Sequence, residues 1–176
     1  MPRSLKSSGP ASPRVAAVVS RYNASITDKL LEGARSTLAV QSPGSTLEVI
    51  HAPGAFELPA LALAAARTRR FDGVVALGCL IKGETAHDRV IADAVASGLV
   101  NVTIATNIPV TFGVLTVDTP EQALARAGGE HGNKGADAMT ALLETISAMN
   151  ALTAKPGRAP VSRPKPDKAA RARSAR

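Results

Sequence analysis

The chain has 176 residues, 45% of them hydrophobic, and a mean hydropathy near zero, enough for one domain with a sizeable core but not for two. No apolar run approaches the ~20 residues of a membrane span. The single cysteine, Cys79, excludes an internal disulfide, and no second Cys or clustered His offers metal-ligand spacing. The net charge of +7 belongs to one end: from Lys155 onward eight Lys or Arg stand against one acid, Asp167, whereas residues 1–154 carry 13 of each sign.

Residues 1–14 hold Pro2, Pro10, Pro13 and several Ser around one apolar anchor, Leu5, and read as a flexible arm. No acid precedes Asp28, as in organellar presequences, but the first strand begins near Val15 and leaves too little chain for one. Residues 15–19 are too short and wrongly flanked for a secretory signal, so a cytoplasmic location is expected. The first strand, residues 15–20, runs into Arg21, Tyr22 and Asn23. A helix follows with Ile26, Leu30, Leu31, Ala34 and Leu38 on one face. Pro43 and Gly44 mark a loop before a second strand at residues 46–51. Pro59 suits the first turn of the next helix, which runs to about Arg70.

Residues 74–81 form an uncharged apolar run, as a buried parallel strand requires. The loop after it, residues 82–87, leads into a long helix from about Asp88 to Thr106. A strand-to-helix loop presents free N–H groups and a partial positive charge. With Gly83, the Thr85 hydroxyl and His87 alongside, it is either a phosphate cradle with a proton-transfer group or a plain joint. A fourth strand spans residues 109–117. Thr119, Pro120 and Glu121 start a short helix that ends near Ala127. Gly128, Gly129, Gly132 and Gly135 mark a kinked junction before a last helix at residues 136–151. Beyond Thr153 come four Pro and eight basic residues without apolar periodicity. Residues 154–176 are expected to be a disordered tail, with weak nucleic-acid contact as its sharper reading.

Strands alternating with helices imply a three-layer αβα sandwich around a four-stranded parallel sheet, with ligands outside the carboxyl ends of the strands. Tyr22, Phe56 and the loop at 82–87 all fall there. The chain has no Trp and only four aromatic residues, so rings beside loops are candidates to stack on a planar ligand. Cys79, at a strand end, reads as a packing residue. Phe112 lies inside the fourth strand and is either core or part of a site on another subunit.

The segments SRYN, APGAFELP, ALGCLIKGETAH, FGVLTVDTPEQA and RAGGEHGNKG, in order and at family spacing, resemble lumazine synthases over roughly residues 15–152. The resemblance implies a flavodoxin-like fold. It also implies condensation of 5-amino-6-(D-ribitylamino)uracil with 3,4-dihydroxy-2-butanone 4-phosphate to 6,7-dimethyl-8-ribityllumazine, the penultimate step of riboflavin biosynthesis, with no cofactor and no metal. By motif, Tyr22 would stack on the pyrimidine. Ala55, Phe56 and Glu57 would hold the ribityl-bearing substrate, and Cys79, Leu80 and Ile81 would contact it by backbone. Glu84 and Thr85 would bind the butanone phosphate, with Arg126 on its phosphate group and Lys134 nearby. Phe112 would come from a neighbouring subunit, and His87 would transfer protons. A homo-oligomer is implied, a pentamer or an icosahedral shell of pentamers, with no membrane association. A flavin-precursor binder or shell-forming scaffold with weak turnover is the alternative.

Some residues depart from the family pattern. Asp88 and Arg89 follow His87 where relatives have an aromatic ring and then an acid. Tyr22 replaces the usual Phe, and Glu130 stands where shell-forming relatives usually carry Lys. Glu84 puts a carboxylate beside the expected phosphate, which requires its side chain to turn away. Glu57 also has a plainer role open to it, complementing the N-terminus of its helix.

Overall fold

Every residue of the strand Arg14–Ser20 except its first is buried, so both faces of this strand must be covered by other elements. The computed structural model describes residues 12–153. That strand is β1, followed by α1 (Ala24–Gln41), β2 (Thr46–Ala52), α2 (Leu58–Arg67), β3 (Gly73–Ile81), α3 (His87–Thr106) and β4 (Val110–Val117). The chain continues through α4 (Pro120–Arg126), β5 (Ala127–Gly129), β6 (Gly132–Asn133) and α5 (Lys134–Thr153).

β1 to β4 form one parallel sheet in the order β2-β1-β3-β4. The period-2 alternation of β1 divides its side chains between two cores. Val15, Ala17 and Val19 pack with Leu30, Leu38, Met139 and Leu142 from α1 and α5. Ala16 and Val18 pack with Leu58, Ala62, Val95 and Leu99 from α2 and α3. The result is a three-layer flavodoxin-like α/β sandwich. Two glycines permit the close helix crossings: a Cβ on Gly135 would meet the Leu30 carbonyl of α1, and one on Gly98 would lie 2.8 Å from Pro59 of α2.

The main elements fall where the sequence pattern puts them, with several differences. β1 begins at Arg14, one residue early, and the Pro13 carbonyl accepts the Thr46 N–H at 3.2 Å, so the expected arm does not extend to residue 14. The rest of that arm, residues 1–11, and the basic tail at 154–176 lie outside the described residues. α2 stops at Arg67 rather than Arg70, because Arg69 takes the left-handed conformation (φ 54°) that commonly ends a helix. The glycine-rich junction is a short antiparallel hairpin, β5–β6, and α5 starts two residues earlier than expected.

α3 is also long and apolar enough, by composition alone, to cross a membrane, although small and polar residues interrupt its apolar run. It nevertheless serves as the crossover between parallel strands β3 and β4, and Val95 and Leu99 lie in the core beneath it. A span would require dismantling that crossover.

Asn133 joins the hairpin, α5 and α1. Its Oδ1 accepts the N–H groups of Gly135 (2.9 Å) and Ala136 (3.1 Å), capping α5, while its Nδ2 donates to the Lys29 carbonyl of α1 at 2.8 Å. Asn133→Ala removes a cap and a side chain-to-backbone bond, with an expected loss of about 2 kcal/mol. Denaturant unfolding at fixed protein concentration measures it; an unchanged midpoint would show that the clamp contributes nothing.

Candidate active site

Strand order reverses between β1 and β3, and three loops gather around that reversal. The loop after β1 is held from below. Thr27 Oγ1 donates to the buried Ser20 carbonyl at 2.8 Å, and the Tyr22 N–H donates to Ser20 Oγ at 3.2 Å. Asn23 adopts the left-handed conformation (φ 59°), and its Nδ2 donates to the Cys79 carbonyl at 2.9 Å. This bond ties the loop to the end of β3 and leaves the Tyr22 ring 72% exposed.

After β2, the Arg21 N–H donates to the Ala52 carbonyl at 2.8 Å, and the Glu57 carboxylate accepts the Gly54 N–H at 2.9 Å. Glu57 therefore closes its own turn, and it accepts no cap bond from α2. Ala55 is buried in the turn while the Phe56 ring is 61% exposed. After β3, the Lys82 N–H donates to the Val117 carbonyl at 2.9 Å, and Lys82 Nζ lies 3.6 Å from Asp118. Beyond this anchor residues 83–87 are exposed. A Cβ on Gly83 would meet nothing within 4 Å, so the loop faces open space. No side chain caps the start of α3 at Ala86, which leaves first-turn N–H groups for an anion. His87, expected just before the helix, is its first residue.

These loops enclose a cleft of about 640 Å³, within the usual size for small-molecule sites. Tyr22, Ala55, Phe56 and Glu57 form part of its wall; Cys79, Leu80, Ile81, Thr85 and His87 complete the predicted set there. Asn23, Gly54, Asp88 and Ile91 line it as well and were not among the predicted site residues. A sequence signal existed for Asn23, since Asn tolerates the left-handed conformation that a tight loop needs. Burial pushes the Cys79 thiol up to about 11, so it stays protonated at neutral pH and is no nucleophile.

The remaining predicted residues lie elsewhere. Phe112, Arg126 and Lys134 line a second depression of about 450 Å³ between β4, the end of α4 and the start of α5. Phe112 is 45% exposed, which removes the core reading. Arg126 Nη1 donates to the Gln122 carbonyl at 3.1 Å, and Lys134 Nζ lies 2.7 Å from Asp137 Oδ2. The two cavities share no lining residue, and Glu84, exposed, lines neither. Among the described residues no group of three or more His, Cys, Asp or Glu is placed to hold a metal ion.

The cleft thus offers aromatic faces, a carboxylate acceptor, free N–H groups and an imidazole, but no Lys or Arg; the cations sit in the depression. Residues 12–150 match the family model for 6,7-dimethyl-8-ribityllumazine synthase. The 6,7-dimethyl-8-ribityllumazine synthase 1 of Caulobacter vibrioides is 48% identical over 141 residues, which cover 80% of this chain and 92% of that protein. The 6,7-dimethyl-8-ribityllumazine synthase of Edwardsiella ictaluri is 47% identical over 143 residues (80% and 92%). That of Lactiplantibacillus plantarum is 44% identical over 140 residues (79% and 88%). With the parallel sheet, the cleft at its reversal and a match across nearly all the described chain, this protein belongs to the 6,7-dimethyl-8-ribityllumazine synthase family.

Proposed function

We propose that this protein condenses 5-amino-6-(D-ribitylamino)uracil with 3,4-dihydroxy-2-butanone 4-phosphate to form 6,7-dimethyl-8-ribityllumazine, releasing phosphate and water. The observation that carries the reading is the cleft at the strand reversal, walled by Tyr22, Phe56, Thr85 and His87, in a chain of this family. The catalytic unit is residues 15–153, and a cytoplasmic location is the reading that fits its relatives. The scaffold or precursor-binding alternative is not favoured, because the relatives carry the synthase name.

Tyr22 stacks on the pyrimidine, and Ala55, Phe56 and Glu57 receive its ribityl chain. Backbone groups at Cys79, Leu80 and Ile81 hold its polar edge. The butanone phosphate lies against Thr85 and the backbone of Glu84, whose side chain stays outside. Its phosphate is met by Arg126 and Lys134, while Phe112 of a neighbouring subunit lies against the pyrimidine. The pyrimidine amine attacks the butanone carbonyl and water leaves, giving an imine. Phosphate then departs with the electron pair of its C–O bond, and the ribitylamino nitrogen closes the second ring with loss of another water. His87 moves protons in these steps. Orientation of two reactive molecules supplies most of the acceleration, up to about 7–11 kcal/mol.

The assembly is a ring, a pentamer, in which the depression of one subunit completes the cleft of the next. Three features support this: the cavities share no residue, the cleft has no Lys or Arg, and exposed apolar side chains at Val90, Val100 and Ile104 of α3 leave one of its faces uncovered. Residues after Thr153, with eight Lys or Arg and one acid, contact single-stranded nucleic acid. RNA that co-purifies with the intact chain and is lost on truncation after Ala154, with lumazine formation preserved, tests that reading.

Mixing the two substrates and following lumazine fluorescence tests the activity itself; no product from the assembled protein would overturn it. His87→Ala is expected to slow turnover by at most about 10²-fold, the low end for one acid–base group. Complete loss in a correctly assembled variant would contradict an orientation-dominated reaction. Arg126→Ala should raise KM for the phosphorylated substrate more than for the pyrimidine; equal increases would remove it from the phosphate.

Site sharing is tested by co-refolding two strongly impaired variants, Thr85→Ala with His87→Ala on one chain and Arg126→Ala on the other. With random mixing in equal amounts, about a quarter of the contacts in a head-to-tail ring join two intact halves, so about a quarter of wild-type activity should return. Recovery no greater than the mean of the two variants, with mixing demonstrated, would confine the site to one subunit.

A further inference from the structure

Three ionisable side chains line the second depression, and one has the wrong sign for a phosphate. Arg126 and Lys134 are cations, but Asp137 shares the wall. It lies one turn after Lys134 on α5, with Oδ2 2.7 Å from Lys134 Nζ. The two side chains are 47% and 63% exposed, so as a structural ion pair this one is weak. Asp137 also complements the start of α5, as an acid in the first helical turn does. Neither role requires a carboxylate on the wall of an anion site. There it has a further effect: an arriving phosphate must take Lys134 from Asp137, and the ionisable groups leave one net positive charge in the depression instead of two.

We propose that Asp137 is a positioning residue that holds Lys134 in place and competes with phosphate for it, so that inorganic phosphate leaves readily after each turnover. The inference rests on the reading of this depression as the phosphate-binding half of the site. The phosphorylated substrate is held through its carbon skeleton as well as its phosphate. Inorganic phosphate, once the C–O bond has broken, has only the ionic contacts. A competing carboxylate weakens those contacts for both, but only the product depends on them alone. Asp137 forms no bond to substrate and takes no proton in this scheme. Its action is electrostatic.

The probe is inorganic phosphate, applied to the full-length assembled protein. It is read as an inhibitor competitive with the butanone phosphate and by direct titration followed by ³¹P line broadening. Asp137→Asn should bind phosphate up to about fivefold more tightly, the upper end for removing one partner of an exposed pair. Asp137→Glu should return binding toward the wild-type value. In a Lys134→Met background the Asn substitution should tighten binding less than about twofold. Asp137→Ser, which retains a helix-start residue, repeats the test if the Asn variant does not fold. Unchanged or weaker phosphate binding in the folded variants overturns the proposal, as does full tightening in the Lys134→Met background or no phosphate binding by the wild type. If the wild type makes no lumazine, the proposed function fails, and the titration still decides the role of Asp137.

Discussion

From β1 the chain crosses by α1 on one face of the sheet to β2, then returns by α2 on the other face and enters β3 on the opposite side of β1. Loops leaving β1 and β3 therefore diverge, and a gap opens outside two adjacent strand ends. The Asn23 amide bridges that gap to the Cys79 carbonyl. Its left-handed backbone turns the chain sharply enough for Tyr22 to stand out from the sheet while α1 begins immediately behind it. The positions of Tyr22, of the turn at Gly54 and of the open loop at Gly83 all follow from this reversal and its tie. Most of the arrangement of the cleft is fixed by backbone topology rather than by bonds between the side chains that line it.

Charge is divided in a way that suits two unlike substrates. The ionisable residues on the cleft wall are Tyr22, Glu57, Cys79, His87 and Asp88, so the cleft itself offers a dianionic phosphate no permanent cation. The uncapped start of α3 supplies only a partial charge, roughly half a unit. Full charges stand in the depression at Arg126 and Lys134. Under the proposed assignment a polyhydroxylated pyrimidine and a phosphorylated ketone meet different chemistry, which limits binding in reversed positions. Asp88 adds a second carboxylate to that wall and makes the cleft still less hospitable to phosphate.

The alternation of strand and helix was legible because each main element carries its own pattern: a continuous apolar run in β3 and a stripe at Ile26, Leu30, Ala34 and Leu38 in α1. Local conformational exceptions were not. Arg69 ends α2 from a left-handed conformation that its residue type does not advertise, and the β5–β6 hairpin is too short to show a period. Of the site, the residues of the cleft were readable from their places at strand ends together with the family motifs. Their division between two cavities was legible in part: Phe112 and Arg126 lie on a different segment from Tyr22, Phe56 and His87, whereas Lys134 carries no such signal until α5 is placed. Phe112 also stood apart because a bulky ring within a strand that the core did not claim had to face something else. Asp137 gave no distinct signal; an acid in a first helical turn is ordinary, and its meaning depends on which wall it joins.

Under the ring reading, assembly and catalysis draw on the same surfaces. Large aromatic faces at Tyr22 and Phe56 remain in water in one protomer, as do Phe112 on β4 and the apolar face of α3. Covering such groups stabilises an interface by about 25 cal/mol per Å² of apolar area, and the neighbour that covers them also supplies the missing cations. A chain whose core contains one buried phenylalanine, Phe71, and otherwise mostly Ala, Val and Leu keeps its other rings for ligand and neighbour. The site is then complete only where two copies meet. Changes at the uncovered face of α3 would alter activity through assembly rather than chemistry, and with a dependence on protein concentration that changes at His87 would lack.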